Sequence, residues 1–281
     1  MKRLLFIPFF IIAAVNTLYS QEKLDSTYLM CQYKYTYMND TLQQTRRDDL
    51  FILEIGPKIS KFYSYYTFQY DSLMSTPNGE QKKREIFNQS LSDFHKHRDR
   101  RKFLNGFSRK RSTTCVYKNY PEKGMTIIDF LGGDYVVYED VLNDQDWQIT
   151  DSIKTVLNYN CQQAVCRFRG REWIVWFTTD IPVANGPWKL GGLPGLILEA
   201  YDRGNQYYFN IIGLEKKNNK PILFGESFFK KIKYIKTNRK DFLKACKRKI
   251  DNASGFLGAE TGVSFGNNDP VYYDLIERDY W

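Results

Sequence analysis

Apolar residues recur with period two along most of this chain, and only near its end does a helical period replace that alternation. Between Tyr28 and Met38, the tyrosines Tyr33, Tyr35 and Tyr37 alternate with Gln32, Lys34 and Thr36, which predicts a half-buried strand with one face of amphipathic rings. Such rings could bind something; a packed sheet face is the simpler use. Asp49–Ile55 and Lys58–Phe68 follow across Gly56-Pro57 and read as a hairpin. Short strand-like runs then succeed one another: Thr114–Tyr120, Met125–Phe130, Tyr135–Tyr138, Trp147–Thr150, Ser152–Tyr159, Gln162–Phe168 and Glu172–Thr179. Turn signals every 8–12 residues or so, with no helical period between runs, predict an antiparallel meander rather than crossover units.

Leu196–Tyr201, Gln206–Leu214 and Pro221–Phe224 extend the series, and Lys231–Thr237 alternates more loosely. Arg239–Asn252 is the clearest helix, with Phe242, Leu243, Cys246 and Ile250 on one side and Lys240, Lys244, Lys247, Arg248 and Lys249 supplying a cationic side. Tyr272–Trp281 reads as either a final docked element or loose chain. The predicted fold is β-rich α+β, a single curved antiparallel sheet (a meander or incomplete barrel) with a C-terminal helix. The incomplete barrel of periplasmic lipoprotein carriers is one such form, by analogy only.

Two segments depart from this pattern. Residues 1–20 carry Lys2 and Arg3, an apolar run Leu4–Leu18 and a small Ser20, the layout of a cleaved secretory signal. No cysteine follows that run directly, so the reading is export without a lipid anchor, to the periplasm or beyond, as one mature domain from Gln21 to Trp281. Residues 71–106 are polar, charged and interrupted by Pro77-Asn78-Gly79, which suggests a mobile insertion with one or two helical turns. The two histidines, His95 and His97, fall there without ligand-spaced partners, and no metal or cofactor is expected.

Composition adds bounds. The chain has 281 residues, a net charge of +9 and 16% aromatic residues, enough length for a sizeable core and a bias towards sheet. Five cysteines in an exported chain leave at least one unpaired, and several read as buried small hydrophobes. Nucleic acid is not expected as a partner of an exported protein, and the basic residues could as well meet an anionic membrane surface.

The densest stretch runs from Arg169 to Asp202. Trp173–Thr178 is a β-branched and aromatic run that stops at Asp180-Ile181-Pro182, and a long loop follows to Gly195. Gly192, Pro194 and Gly195 are read as its structural turn, with Gly195 taking positive φ in a type II geometry. Arg167, Arg169 and Arg171 are expected to alternate along one strand, so that Arg169 and Arg171 hold a carboxylate or phosphate against Trp173. Pairing with Glu139, Asp140 or Asp146 is the alternative. Trp188 and Lys189 on the long loop complete the candidate binding set.

Specific residues of this region carry a resemblance: Tyr117–Pro121, Asp146-Trp147, Tyr159–Ala164, Phe168–Arg171, Trp173, Trp176–Thr178, Asp180–Pro182, Gly186–Leu190 and Gly192-Leu193-Pro194-Gly195-Leu196-Ile197. In this order they closely resemble the GLPGLI family of exported Bacteroidetes proteins, over about residues 115–216. The resemblance implies a secreted or periplasmic protein and brings no catalytic assignment with it.

Catalytic signatures are absent: no Gly-x-Ser-x-Gly, no His-Glu-x-x-His and no phosphate loop. The expected function is a non-enzymatic envelope protein that binds a ligand or an envelope protein partner, cooperating with outer-membrane transport. The alternative is a hydrolase-like enzyme using carboxylates around Asp180 and Glu199, with Lys189 in reach.

Overall fold

The computed structural model describes residues 22–99, 106, 110–225, 233–252 and 274–281, so the segment read as a signal lies outside it. Twelve strands make one open sheet: β1 (Lys23–Asp40), β2 (Thr45–Ile55), β3 (Ser60–Ser64), β4 (Cys115–Lys118), β5 (Gly124–Leu131), β6 (Asp134–Val141), β7 (Gln148–Val156), β8 (Tyr159–Phe168), β9 (Arg171–Thr178), β10 (Leu196–Asp202), β11 (Tyr207–Leu223) and β12 (Tyr234–Lys236). Their order is β12-β6-β5-β4-β3-β2-β1-β11-β10-β9-β8-β7. Every pairing is antiparallel except that of β12 with β6. The helices described are α1 (Tyr65–Met74), α2 (Gly79–His97) and α3 (Arg239–Asp251). The β-rich α+β fold with a C-terminal helix is the one the alternation implies.

Register explains the core. Tyr33 lies opposite Phe51 on β2 and Ile211 on β11, so these side chains share one face, and Tyr35 continues it opposite Phe209. On that inner face Tyr35 stacks on Phe209 at 4.6 Å and Phe51 on Phe62 at 4.5 Å. The outer face of β2–β5 has a smaller core of Ile52, Tyr63, Cys115, Tyr117 and Ile128. The sheet also curls, because Lys118 on β4 reaches the loop joining β9 to β10. Breaks in register within β1, β7 and β10 supply local bends. All five cysteines are free thiols, with Cys31, Cys115, Cys161 and Cys166 buried.

Three expectations are corrected here. The strand predicted over Lys58–Phe68 ends at Ser64, whose hydroxyl accepts from the Thr67 amide and caps α1, so local capping and packing override the β preference of the tyrosines that follow. The 71–106 insertion holds the last turn of α1 and all of α2, helices in contact through Lys83 and the Tyr70 hydroxyl at 3.2 Å, where one or two turns were expected. His95 and His97 are exposed in the last turn of α2, and among the described residues no cluster of three His, Cys, Asp or Glu side chains could hold a metal ion.

The third correction concerns the glycine turn. Positive φ falls on Gly192, at +83°, and not on Gly195. Gly195 is required by proximity: a Cβ there would lie 1.9 Å from the carbonyl oxygen of Thr178. Gly195→Ala must push β9 from β10, and urea unfolding is expected to show a loss of about 1–3 kcal/mol. Gly204→Ala, whose Cβ would meet nothing nearer than the Asp202 carboxylate at 3.2 Å, is expected to cost much less.

Candidate functional site

The loop between Thr178 and Leu196 folds back into the curled sheet as a plug. Its backbone bonds internally, with Gly192 N donating to Ala184 O, and to β10, where Ile197 N donates to Asn185 O. The connection from β6 to β7 also grips it: Trp147 Nε1 donates to Gly191 O at 2.8 Å and Gln145 Nε2 to Lys189 O at 3.0 Å. From the opposite side the Lys118 ammonium donates to Asn185 Oδ1, Gly186 O and Leu190 O at 3.0, 2.8 and 2.5 Å. Burial with carbonyl-type acceptors alone lowers the pKa of Lys118 to about 7.

Trp188 sits at the plug's inner tip with φ of +51°, a conformation uncommon for a bulky residue. Its ring packs against Trp173 at 5.4 Å and Phe168 at 5.9 Å. The ring also forms a wall of two cavities. One, of about 230 Å³, is aromatic, lined by Tyr35, Tyr37, Phe51, Phe62 and Phe209 with Arg111–Thr114 along one edge. The other, of about 320 Å³, lies under α3 against Leu131, Tyr138, Phe242, Leu243, Cys246 and Ile250. Thr114, Trp188 and Ile276 line both.

Two carboxylates sit beside these spaces. Asp49 accepts from Ser112 N, Ser64 Oγ and Leu50 N, and burial raises its pKa to about 6. Asp129 accepts from the Thr113 and Thr114 hydroxyls at 2.6 Å each, and burial raises it as well. Each carboxylate thereby fixes part of the 110–114 segment that edges the aromatic cavity.

The candidate binding residues have mixed placements. Arg167, Arg169 and Arg171 do not follow one strand: Arg169-Gly170 is a two-residue hairpin turn with φ of +53° and +73° between β8 and β9. Arg171 is buried and donates to Asp202 Oδ2, Gln206 Oε1, Leu275 O and Ile276 O. Trp173 is wholly buried on the inner face. Lys189 is 1% exposed, between Asp140 Oδ2 at 2.8 Å and Glu277 Oε1 at 2.5 Å. Arg169 pairs with Asp140, and Arg239 bonds Glu277 and Asp279 at 2.7 Å. Burial would raise the Asp279 carboxyl, but the Arg239 hydrogen bonds and charge hold it below its usual value.

The expected carboxylate capture thus occurs within the chain: the arginines and lysine bind Asp140, Asp202 and the C-terminal segment 274–281, which docks across the cleft. Of the five predicted residues, Trp188 lines the two cavities. The ring face of Tyr35 and Tyr37 was visible in the alternation, whereas Arg111–Thr114 and Ile276 gave no signal. Of the alternative catalytic carboxylates, Glu199 is buried and bonded to Lys154 at 2.7 Å, while Asp180 is exposed just beyond β9.

Comparison with known proteins gives a limited set of likenesses. A family model described as the N-glycanase peptide, N-terminal domain, matches residues 123–237, less than half of the chain. Two solved structures of PNGF-II, in C2 and P21 space groups, are similar at 14% identity and a TM-score of 0.49. Each likeness covers 80% of this chain and 34% of the other, so this chain spans about a third of the length of those proteins. No curated protein matches.

Proposed function

We propose that this is an exported, non-enzymatic envelope protein that holds a ligand in the cleft divided by Trp188. The carrying observation is that one bulky side chain, in a backbone conformation it disfavours, walls two cavities of different lining. No histidine lines either cavity, Glu199 is tied to Lys154, and Asp49 and Asp129 have their oxygens engaged by Ser64, Ser112, Thr113 and Thr114, so the groups on hand favour holding over acid–base cleavage. The ordered motifs between Tyr117 and Ile197 support membership of the GLPGLI family and, with the N-terminal segment, export. Cooperation with outer-membrane transport machinery is the partner role of this reading.

The test is native mass spectrometry of the protein purified gently from an envelope fraction, before and after denaturation. A reproducible extra mass released on unfolding, and lost from Trp188→Ala, is the expected result. A clean monomer in both proteins would count against the reading.

A further inference from the structure

The space under α3 differs from the aromatic cavity in its lining. Leu131, Phe242, Leu243, Cys246, Ile250 and Leu275 give it aliphatic and aromatic walls, and Asp129 and Lys249 are its charged neighbours. Its other carboxylate, Glu277, is already bonded to Lys189 and Arg239. Asp129 is held by two threonine hydroxyls, and burial favours its neutral form. Lys249 is exposed and its charge acts on Asp129; Lys244 and Arg248 are exposed beside it, and Lys247 pairs with Asp251. The helix sits over the sheet on an apolar stripe whose fully buried members are Phe242 and Leu243.

A mainly apolar space with Lys249 as its one cationic lining residue fits a molecule with one aliphatic chain and one anionic end. We propose that this cavity binds a single-chain amphiphile, with the chain between α3 and the inner sheet face and the anionic head beside Lys249. This names the ligand class for the cleft and so rests on the binding function proposed above. The ligand is the free amphiphile, not a bilayer surface.

The experiment is calorimetric titration of the full chain with octanoate, decanoate, dodecanoate and tetradecanoate, each below its micelle concentration, and with the matching alcohols. One site is expected, tightening about fourfold per added methylene until the 320 Å³ are filled and then levelling. Cys246→Phe, which puts a ring into the space, should weaken the longer chains at least tenfold. Lys249→Glu, an exposed change, should weaken the carboxylates severalfold and leave the alcohols unchanged.

Absence of saturable binding, chain-length dependence that persists in Cys246→Phe, or equal losses for acids and alcohols in Lys249→Glu would overturn the assignment. Tighter association with anionic vesicles than with any free chain would overturn it too. The two readings fail separately. A retained mass in the native spectrum without alkanoate binding removes the amphiphile and keeps the cleft, whereas alkanoate binding without a retained mass removes only the claim that a ligand is carried from the cell.

Discussion

Lys189→Met is expected to destabilise the protein by about 3–5 kcal/mol in urea unfolding, because it removes one partner of a buried charge cluster. The Lys189 ammonium lies between Asp140 and Glu277, whose side chains are 5% and 2% exposed, and Arg169, Arg239 and the partly exposed Asp279 complete a balanced set of three cations and three carboxylates. Methionine fills much of the same volume, so the loss reports charge more than packing. It leaves a buried negative charge in excess. Lys189→Met with Glu277→Gln restores the balance, and the double variant should cost about 1–3 kcal/mol less than the sum of the single changes. A single-variant cost below about 1 kcal/mol would mean that water solvates the cluster. Glu277 of that cluster directly follows Ile276, which walls both cavities, so Lys189→Met should also weaken retention in the cleft.

Legibility followed locality. The alternation of Tyr33, Tyr35 and Tyr37 disclosed which face of β1 is buried, since side-chain period and sheet pleat are one geometric fact. The spacing of Phe242, Leu243, Cys246 and Ile250 disclosed α3 for the same reason. Where a role depends on residues distant in sequence, local pattern was silent. Arg171 was read as a ligand-holding cation because nothing near it announces that Leu275 and Ile276 will present their carbonyls to it. Gly195 looked like a turn glycine because the close approach of Thr178 O exists only once β9 and β10 pair. Arg169 was misplaced for a local reason: alternation was carried through a two-residue turn whose only sequence mark is Gly170. The candidate site was thus legible as a location, the plug with Trp188, while its cavities arise from curling that brings β4, β6, α3 and the C-terminal segment around that plug.

Lys118 tests whether the plug is held as described. Its folded pKa of about 7 lies below the value near 10.4 of an unfolded lysine, so between those limits the unfolded chain binds more protons. Stability therefore rises with pH across that window, and the penalty of burying the ammonium is fully present below about pH 7. Relative to Lys118→Met, which cannot titrate, the wild-type protein should gain about 3 kcal/mol of unfolding free energy between about pH 7 and about pH 9.5. The comparison with the variant is essential. Burial raises the Cys31, Cys166 and Cys246 thiols to about 12, so unfolded thiols ionise first and both proteins lose stability as pH climbs past about 9. That loss cancels in the difference, as does the like-signed contribution of Asp49, whose raised pKa makes stability fall as pH rises from about 4 to about 6. A difference that stays flat from neutral to alkaline pH would show that the ammonium is well solvated in the folded protein, and that Asn185, Gly186 and Leu190 are not held by a dry amine.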